Sequence, residues 1–243
     1  MLMDLHTHSN YSDGKNTPEE MIEAAIEIGY DAIAITDHVW KTSLWIPAYV
    51  AHLETLKKKY ENEIKLYTGI EAKVVSLEGD IDADPSFDAQ VDLILGSIHR
   101  IPHREGYFSN ADMERLPKPI IIENWLLAFY RMLENPRIDI IAHPLSELRA
   151  FGIRDEDLPI REISDRIAGS NKIMEFNVRY NTMDEQVIKQ TRERSVQFLI
   201  SSDSHSVKDL IVNSRKVKEL TGRGFRIVDI HQYLLNKKKA EKH

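Results

Sequence analysis

Cysteine is absent from the 243-residue sequence. Disulfides, thiolate zinc sites, iron–sulfur clusters and cysteine nucleophiles are therefore excluded, and any metal must be held by imidazole and carboxylate. Such donors suit zinc, manganese or iron and do not choose among them. No apolar run approaches the roughly 18 residues of a membrane span, and the N-terminus lacks the charged-then-apolar pattern of a signal peptide. The expected location is the cytoplasm, with no membrane partner. Excess positive charge is missing too, because the formal net charge is -7. That balance argues against a broad basic surface for duplex nucleic acid, but bound cations can make a local pocket positive in an acidic chain. No Gly-rich linker, low-complexity block or internal repeat divides the chain. One domain over 1–243 is expected, with a catalytic core over about 1–210 and a helical tail over about 211–243.

What is present is an ordinary globular composition, 42% hydrophobic and 29% charged, with ten histidines. Its order is strand, turn, helix, repeated. "LMDL" reads as a short strand. "TPEEMIEAAIEIG" follows with Thr17 as N-cap, Pro18 at the first helical position, Glu20 closing a capping box and Gly29 ending the helix. "AIAIT", "KLYTGIEA", "VDLILGSI", "IDIIA", "KIMEFNV" and "VQFLISS" supply six further apolar runs. Helices are expected over 47–60, 119–134, 160–169 and 183–194, and "VVSLEGDIDAD" reads as a hairpin. The segment 99–118 reads as a long loop, and two helices begin near Val207 and Asp229. The terminal "NKKKAEKH" reads as a solvated, fraying helix end. Seven apolar strands separated by helices indicate an α/β fold with a parallel sheet covered by helices, either a barrel or a doubly wound sheet.

The ligand-type residues fall on this scaffold at one register. His6, His8 and Asp13 follow the first strand in "DLHTHSNYSDG", and His38 closes "ITDH" after the second. Glu71 ends the third, His99 the fourth and His143 the fifth. Asp203 and His205 follow the seventh, in "SSDSH". Parallel strands alternating with helices put every strand C-terminus on one face, where barrel enzymes build their sites. A lone His-x-His is weak, and packing could explain it. Nine imidazoles and carboxylates at one register are another matter, because burying them costs free energy unless they are paired or metallated. Nine exceed the three or four protein ligands that one ion usually takes, so two or three ions are implied. His52, His103, His231 and His243 fall outside the set.

Taken in order and spacing, "DLHTHSNYSDG", "AITDH", "GIEA", "GSIH", "AHP" and "SSDSH" resemble the motifs of the PHP (polymerase and histidinol phosphatase) family over Asp4 to His205. The resemblance implies a distorted (βα)7 TIM-like barrel and hydrolysis of phosphate esters at a trinuclear metal centre. It suggests one ion on His6, His8, Glu71 and Asp203, and a second on His99 and His143 with Glu71 bridging. A third would lie on Asp13, His38 and His205. Asp4 and Asp37 are expected to support the ligands or the backbone around them. Three divalent ions against three carboxylates leave a pocket of roughly +3, suited to a phosphate monoester dianion that a metal-bound hydroxide attacks in line. Arg179, after the sixth strand, and Arg100, beside His99, are candidates for gripping the phosphate, with His103 and Arg104 weaker ones.

The leading expectation is a phosphomonoesterase like the histidinol-phosphate phosphatases, acting on a small phosphorylated substrate. A second is a nuclease or nucleotide phosphatase acting on short single-stranded nucleic acid or nucleoside bisphosphates, with Trp40 or Trp45 stacking on a base. A third is a noncatalytic metal-stabilised module, against which the complete ligand set counts.

Overall fold

A computed structural model of the chain describes residues 1–180, 189–191, 193–194, 196–223 and 225–240. The helix expected over 183–194 lies largely outside the described residues. The chain begins with β1 (Met3–Asp4), α1 (Pro18–Ile28), β2 (Ala32–Ile35), β3 (His38–Val39), α2 (Ile46–Lys59), β4 (Lys65–Lys73) and β5 (Leu93–Ser97). It continues through β6 (Pro102–His103), β7 (Gly106–Tyr107), α3 (Asn110–Arg115), α4 (Lys118–Glu134), β8 (Ile140–Ile141), α5 (Ser146–Ala150) and α6 (Ile160–Gly169). It ends with β9 (Ile173–Asn177), β10 (Phe198–Ser201), α7 (Val207–Thr221) and α8 (Ile230–Ala240). The first helix is punctuated as its sequence dictates: Thr17 and Glu20 form a reciprocal capping box, and Gly29 closes the helix at φ 83°.

The main sheet is parallel and runs β1-β2-β4-β5-β8-β9-β10, with β3 pairing beside β4 as a continuation of β2. Its two ends meet. Thr7, after β1, bridges Ser204, after β10, in parallel, and the His8 N–H donates to the Ser204 carbonyl at 2.9 Å. The result is a nearly closed, barrel-like sheet of seven strands, and the open doubly wound alternative is set aside.

Side chains alternate across the barrel wall. Ile33, Ile35, Ile94, Ile141, Met174, Phe176, Phe198 and Ile200 pack outward into the layer shared with the helices. Ala32, Ala34, Leu93, Leu95, Ile140, Ile173 and Leu199 fill a separate inner cluster. Val228, Ile230 and Leu234 join that inner cluster from the C-terminal segment, so α8 closes the barrel floor.

Two expectations are corrected. The segment 99–118 is not a plain loop: β6 and β7 form an antiparallel hairpin, and α3 is capped reciprocally by Ser109 and Asp112. Two-residue strands are too short to show a period of two, which is why the hairpin is silent in sequence. The terminal lysine run is not uniformly solvated. Lys237 reaches under the barrel to Asp139, 2.8 Å away and 2% exposed, which also accepts from Tyr233 Oη and the Ile94 N–H at 2.8 Å each. Lys238 and Lys239 do face solvent.

Candidate metal centre

Alternation along β4 sends Ile70 and Ala72 outward and Glu71 inward, near the C-terminal rim of the barrel. There Glu71, fully buried at its side chain, stands among five imidazoles. Its Oε1 lies 2.9 Å from His143 Nε2 and 3.1 Å from His99 Nε2. Its Oε2 lies 2.9 Å from His38 Nδ1, 3.3 Å from His6 Nε2 and 3.5 Å from His8 Nε2. Asp203 adds a second carboxylate, with Oδ1 3.0 Å from His8 Nε2 and 3.5 Å from His6 Nε2. At the outer edge Asp13 Oδ1 is 3.4 Å from His205 Nε2 and 3.7 Å from His38 Nε2.

The structure thus brings all nine singled-out residues to one end of the barrel. Their donor atoms form four overlapping sets, each within 4.8 Å: His8 with Asp13, His38 and His205; His6 with His8 and Asp203; His6 with Glu71 and His143; and His38 with Glu71 and His99. His38 therefore faces Glu71 as well as Asp13.

The backbone is bent to achieve this. His143 at φ 29° and Asp203 at φ 52° lie in the left-handed region, which costs a non-glycine residue on the order of 1–3 kcal/mol and recurs at functional sites. The loop bearing Asp13 is folded tightly over His8. A Cβ at Gly14 would meet the His8 carbonyl oxygen at 2.6 Å, so only glycine fits.

Electrostatics set the donors apart from an ordinary ion-pair network. Burial alone would raise Glu71 and Asp203, yet the neighbouring imidazoles, His99 and His6 at Glu71 and His6 and His8 at Asp203, hold both well below the carboxylate range. Burial pulls His8 down to about 4, leaving it neutral with a lone pair available. His6 Nε2, both His8 ring nitrogens, Glu71 Oε2 and Asp203 Oδ1 are buried without a hydrogen-bond partner. Orphaned buried donors and acceptors are costly. A convergent set of imidazole nitrogens and carboxylate oxygens fits divalent cations, which would satisfy all of them at once.

Asp37 is a scaffold rather than a donor to the cluster. It accepts from the Ser9 N–H at 2.8 Å, Ser9 Oγ at 2.6 Å and Ser12 Oγ at 2.6 Å, and so shapes the loop between His8 and Asp13. Asp4, fully buried, accepts from the Ser202 N–H at 3.1 Å and ties the first strand to the last. Glu175 was not singled out from sequence. It follows Ile173 by two residues, so it points into the barrel, where it accepts from His6 Nδ1 at 2.7 Å and from the His143 N–H. The available signal was a lone acid inside the apolar run "KIMEFNV".

Of the phosphate-gripping candidates, Arg179 lies at the cluster: Nη1 donates to the Asp203 carbonyl at 3.0 Å and sits 2.7 Å from His205 Nδ1. Arg100 lines a cleft that opens onto Glu71 and His99. His103 is turned to its own hairpin, stacking on Phe108 at 4.8 Å and accepting from the Glu105 N–H. Trp45 packs edge-on to Tyr49, while Trp40 is 48% exposed.

A closed parallel barrel with imidazoles and carboxylates gathered at its strand ends is the framework of a metal-dependent phosphoesterase. The family model described as PHP domain matches residues 4–179, and the chain belongs to that family. It is 28% identical over 219 residues to the DNA polymerase/3'-5' exonuclease PolX of Bacillus subtilis, matching 85% of this chain but only 35% of that protein. The chain thus spans about a third of the length of that relative. A Thermoanaerobacter protein named "Probable phosphatase" is 25% identical over 213 residues, covering 84% of this chain and 79% of its own. Among solved structures, the HisK protein of Listeria monocytogenes superposes with a TM-score of 0.70 at 18% identity, covering 91% of this chain and 98% of that one. Histidinol phosphate phosphatase of Lactococcus lactis, complexed with zinc, L-histidinol and phosphate, superposes with a TM-score of 0.59 at 18% identity, covering 90% and 93%. These two likenesses are likenesses of fold. Among the described residues no helix is long and apolar enough to cross a membrane.

Proposed function

We propose that this chain is a cytoplasmic phosphatase that hydrolyses a small phosphate monoester in the manner of the histidinol phosphate phosphatases, with residues 1–243 working as one catalytic unit. The observation that carries the reading is Glu71, buried among five imidazoles and leaving one of its own oxygens unsatisfied. His6, His8, Glu71 and Asp203 would hold one divalent ion, Glu71, His99 and His143 a second, and Asp13, His38 and His205 a third, with zinc, manganese and iron all suited to the donors. Bound there, such ions supply charge stabilisation for a phosphoryl group and an activated water. The chain's own contribution is placement. Glu175 and the Asp203 carbonyl orient His6 and Arg179, and the Arg179 guanidinium is held at the rim where a phosphate oxygen can be bound. Arg100 lines the adjoining cleft rather than the rim beside Arg179.

The test is phosphate release from histidinol phosphate and a panel of monoesters by protein reconstituted with manganese or zinc, with metal content quantified. Absence of turnover on every monoester at full occupancy would overturn the reading. A second reading, cleavage of short single-stranded nucleic acid, draws on the similarity to PolX and on Trp40, exposed beside the cluster as a stacking surface. Degradation of an oligonucleotide faster than any monoester would favour it.

A further inference from the structure

The cleft beside the cluster has a volume of about 330 Å3 and a lining of two kinds. His38, Glu71 and His99 belong to the cluster itself. Val39, Trp40, Lys73 and Arg100 do not. Lys73 is the last residue of β4, two positions beyond Glu71, so the strand that supplies the central carboxylate supplies a cation on the same face roughly 7 Å further along.

Neither cation has a carboxylate partner among the described residues. Lys73 Nζ stands 5.0 Å from the Tyr107 ring centroid, its one described contact, which also ties it to the β6–β7 hairpin. Two acids lie close by without forming an ion pair with either cation: Asp82, whose N–H donates to the Lys73 carbonyl at 2.9 Å, and Glu147, whose carboxyl burial raises to about 6 against the pull of the Arg100 charge. In a chain of net charge -7, two cations outside any described ion pair and an exposed tryptophan lining one cleft are a selective arrangement.

We propose that Trp40, Lys73 and Arg100 form the leaving-group subsite, and that it selects phosphate esters whose leaving group carries a second anion, a carboxylate or a further phosphate. The proposal rests on the phosphatase reading and narrows it: an ester of a cationic alcohol such as histidinol would meet two like charges. Lys73 and Arg100 would pair with the distant anion through charge-assisted hydrogen bonds, and Trp40 would cover the carbon skeleton between the two anions.

Binding of non-hydrolysable phosphonates to the manganese-loaded protein, followed by calorimetry, tests this without calling on turnover. The series is ethylphosphonate, 3-phosphonopropionate, 1,2-ethylenebisphosphonate and 2-aminoethylphosphonate, which vary the charge at the far end. The two anionic tails are expected to bind about tenfold tighter than ethylphosphonate, and the amino tail more weakly than it. The K73Q/R100Q variant should bind all four alike, while K73R should keep the preference. Equal affinity for neutral and anionic tails in the wild type, or a preference that survives K73Q/R100Q, overturns the subsite. A clear preference with no turnover on any ester leaves the subsite standing and sinks the phosphatase reading instead. Turnover of esters without the preference sinks the subsite alone.

Discussion

Glu175 Oε1 lies 2.7 Å from His6 Nδ1 with both side chains fully buried. Burial would raise Glu175, but the charge of His6 and the hydrogen bond from it hold the carboxyl below its usual range, so it is ionised and can only accept. His6 must therefore carry a proton on Nδ1, which leaves Nε2, facing Glu71 and Asp203, as the nitrogen that would ligate a metal. Glu175→Gln keeps the shape and removes the charge. Metal affinity is expected to fall by about 10- to 100-fold, with the circular dichroism spectrum unchanged. Competition titration against a chelating dye measures it, and an unaltered affinity would show that Glu175 only fills space.

Metal removal should be visible as lost stability, because several of the converging donor atoms are buried without a hydrogen bond. A ligand present at a thousand times its dissociation constant stabilises the folded state by about 4 kcal/mol. For a chain of this size that corresponds to a rise in Tm of roughly 8–16 °C. Thermal melts with and without a strong chelator check it. His8→Ala and Asp203→Asn should each shrink the difference, and a melt indifferent to the chelator contradicts the assignment of the cluster to metal.

The floor of the barrel makes a separate prediction. Lys237→Ala leaves the buried Asp139 carboxylate with Tyr233 and the Ile94 N–H but without its ion-pair partner. A loss of about 1–3 kcal/mol is expected, read from urea unfolding. Lys238→Ala and Lys239→Ala, on exposed positions, should each stay within about 0.5 kcal/mol of the parent. Equal effects from all three would return the run to the solvated reading.

The contrast between Glu71 and Glu175 shows what the sequence could disclose. Glu71 lies near the C-terminal end of a strand, so it falls into the repeating register that also places His38, His99 and His143, and repetition made that register legible. Glu175 sits inside "KIMEFNV", where a single acid looks like an interruption until its partner, 169 residues away, is known. Lys237 was misread for the same reason: its partner Asp139 is 98 residues distant, and helix-end lysines are commonly solvated. Long strands and capped helices, such as Pro18–Ile28, are local and were readable. The β6–β7 hairpin was not, because two-residue strands carry no period.

Glu147 gives the pH dependence that is cleanest to interpret, since it lies outside the cluster. Burial raises its carboxyl from 4.5 to about 6, against the opposing pull of Arg100 and His143. The folded state therefore keeps a proton that the unfolded chain has already released between about pH 4.5 and 6. With more protons bound in the folded state, stability falls as pH rises through that window and levels off above it. The side chain is only partly buried, so solvent screening limits the contribution to about 1 kcal/mol or less. Glu147→Gln removes the titration, and the change in unfolding free energy on going from pH 4.5 to pH 7 should become more positive by that amount relative to the parent. Urea unfolding of both proteins at the two pH values measures it. If the variant keeps the full pH slope, the proton is bound elsewhere and Glu147 titrates as an ordinary surface acid.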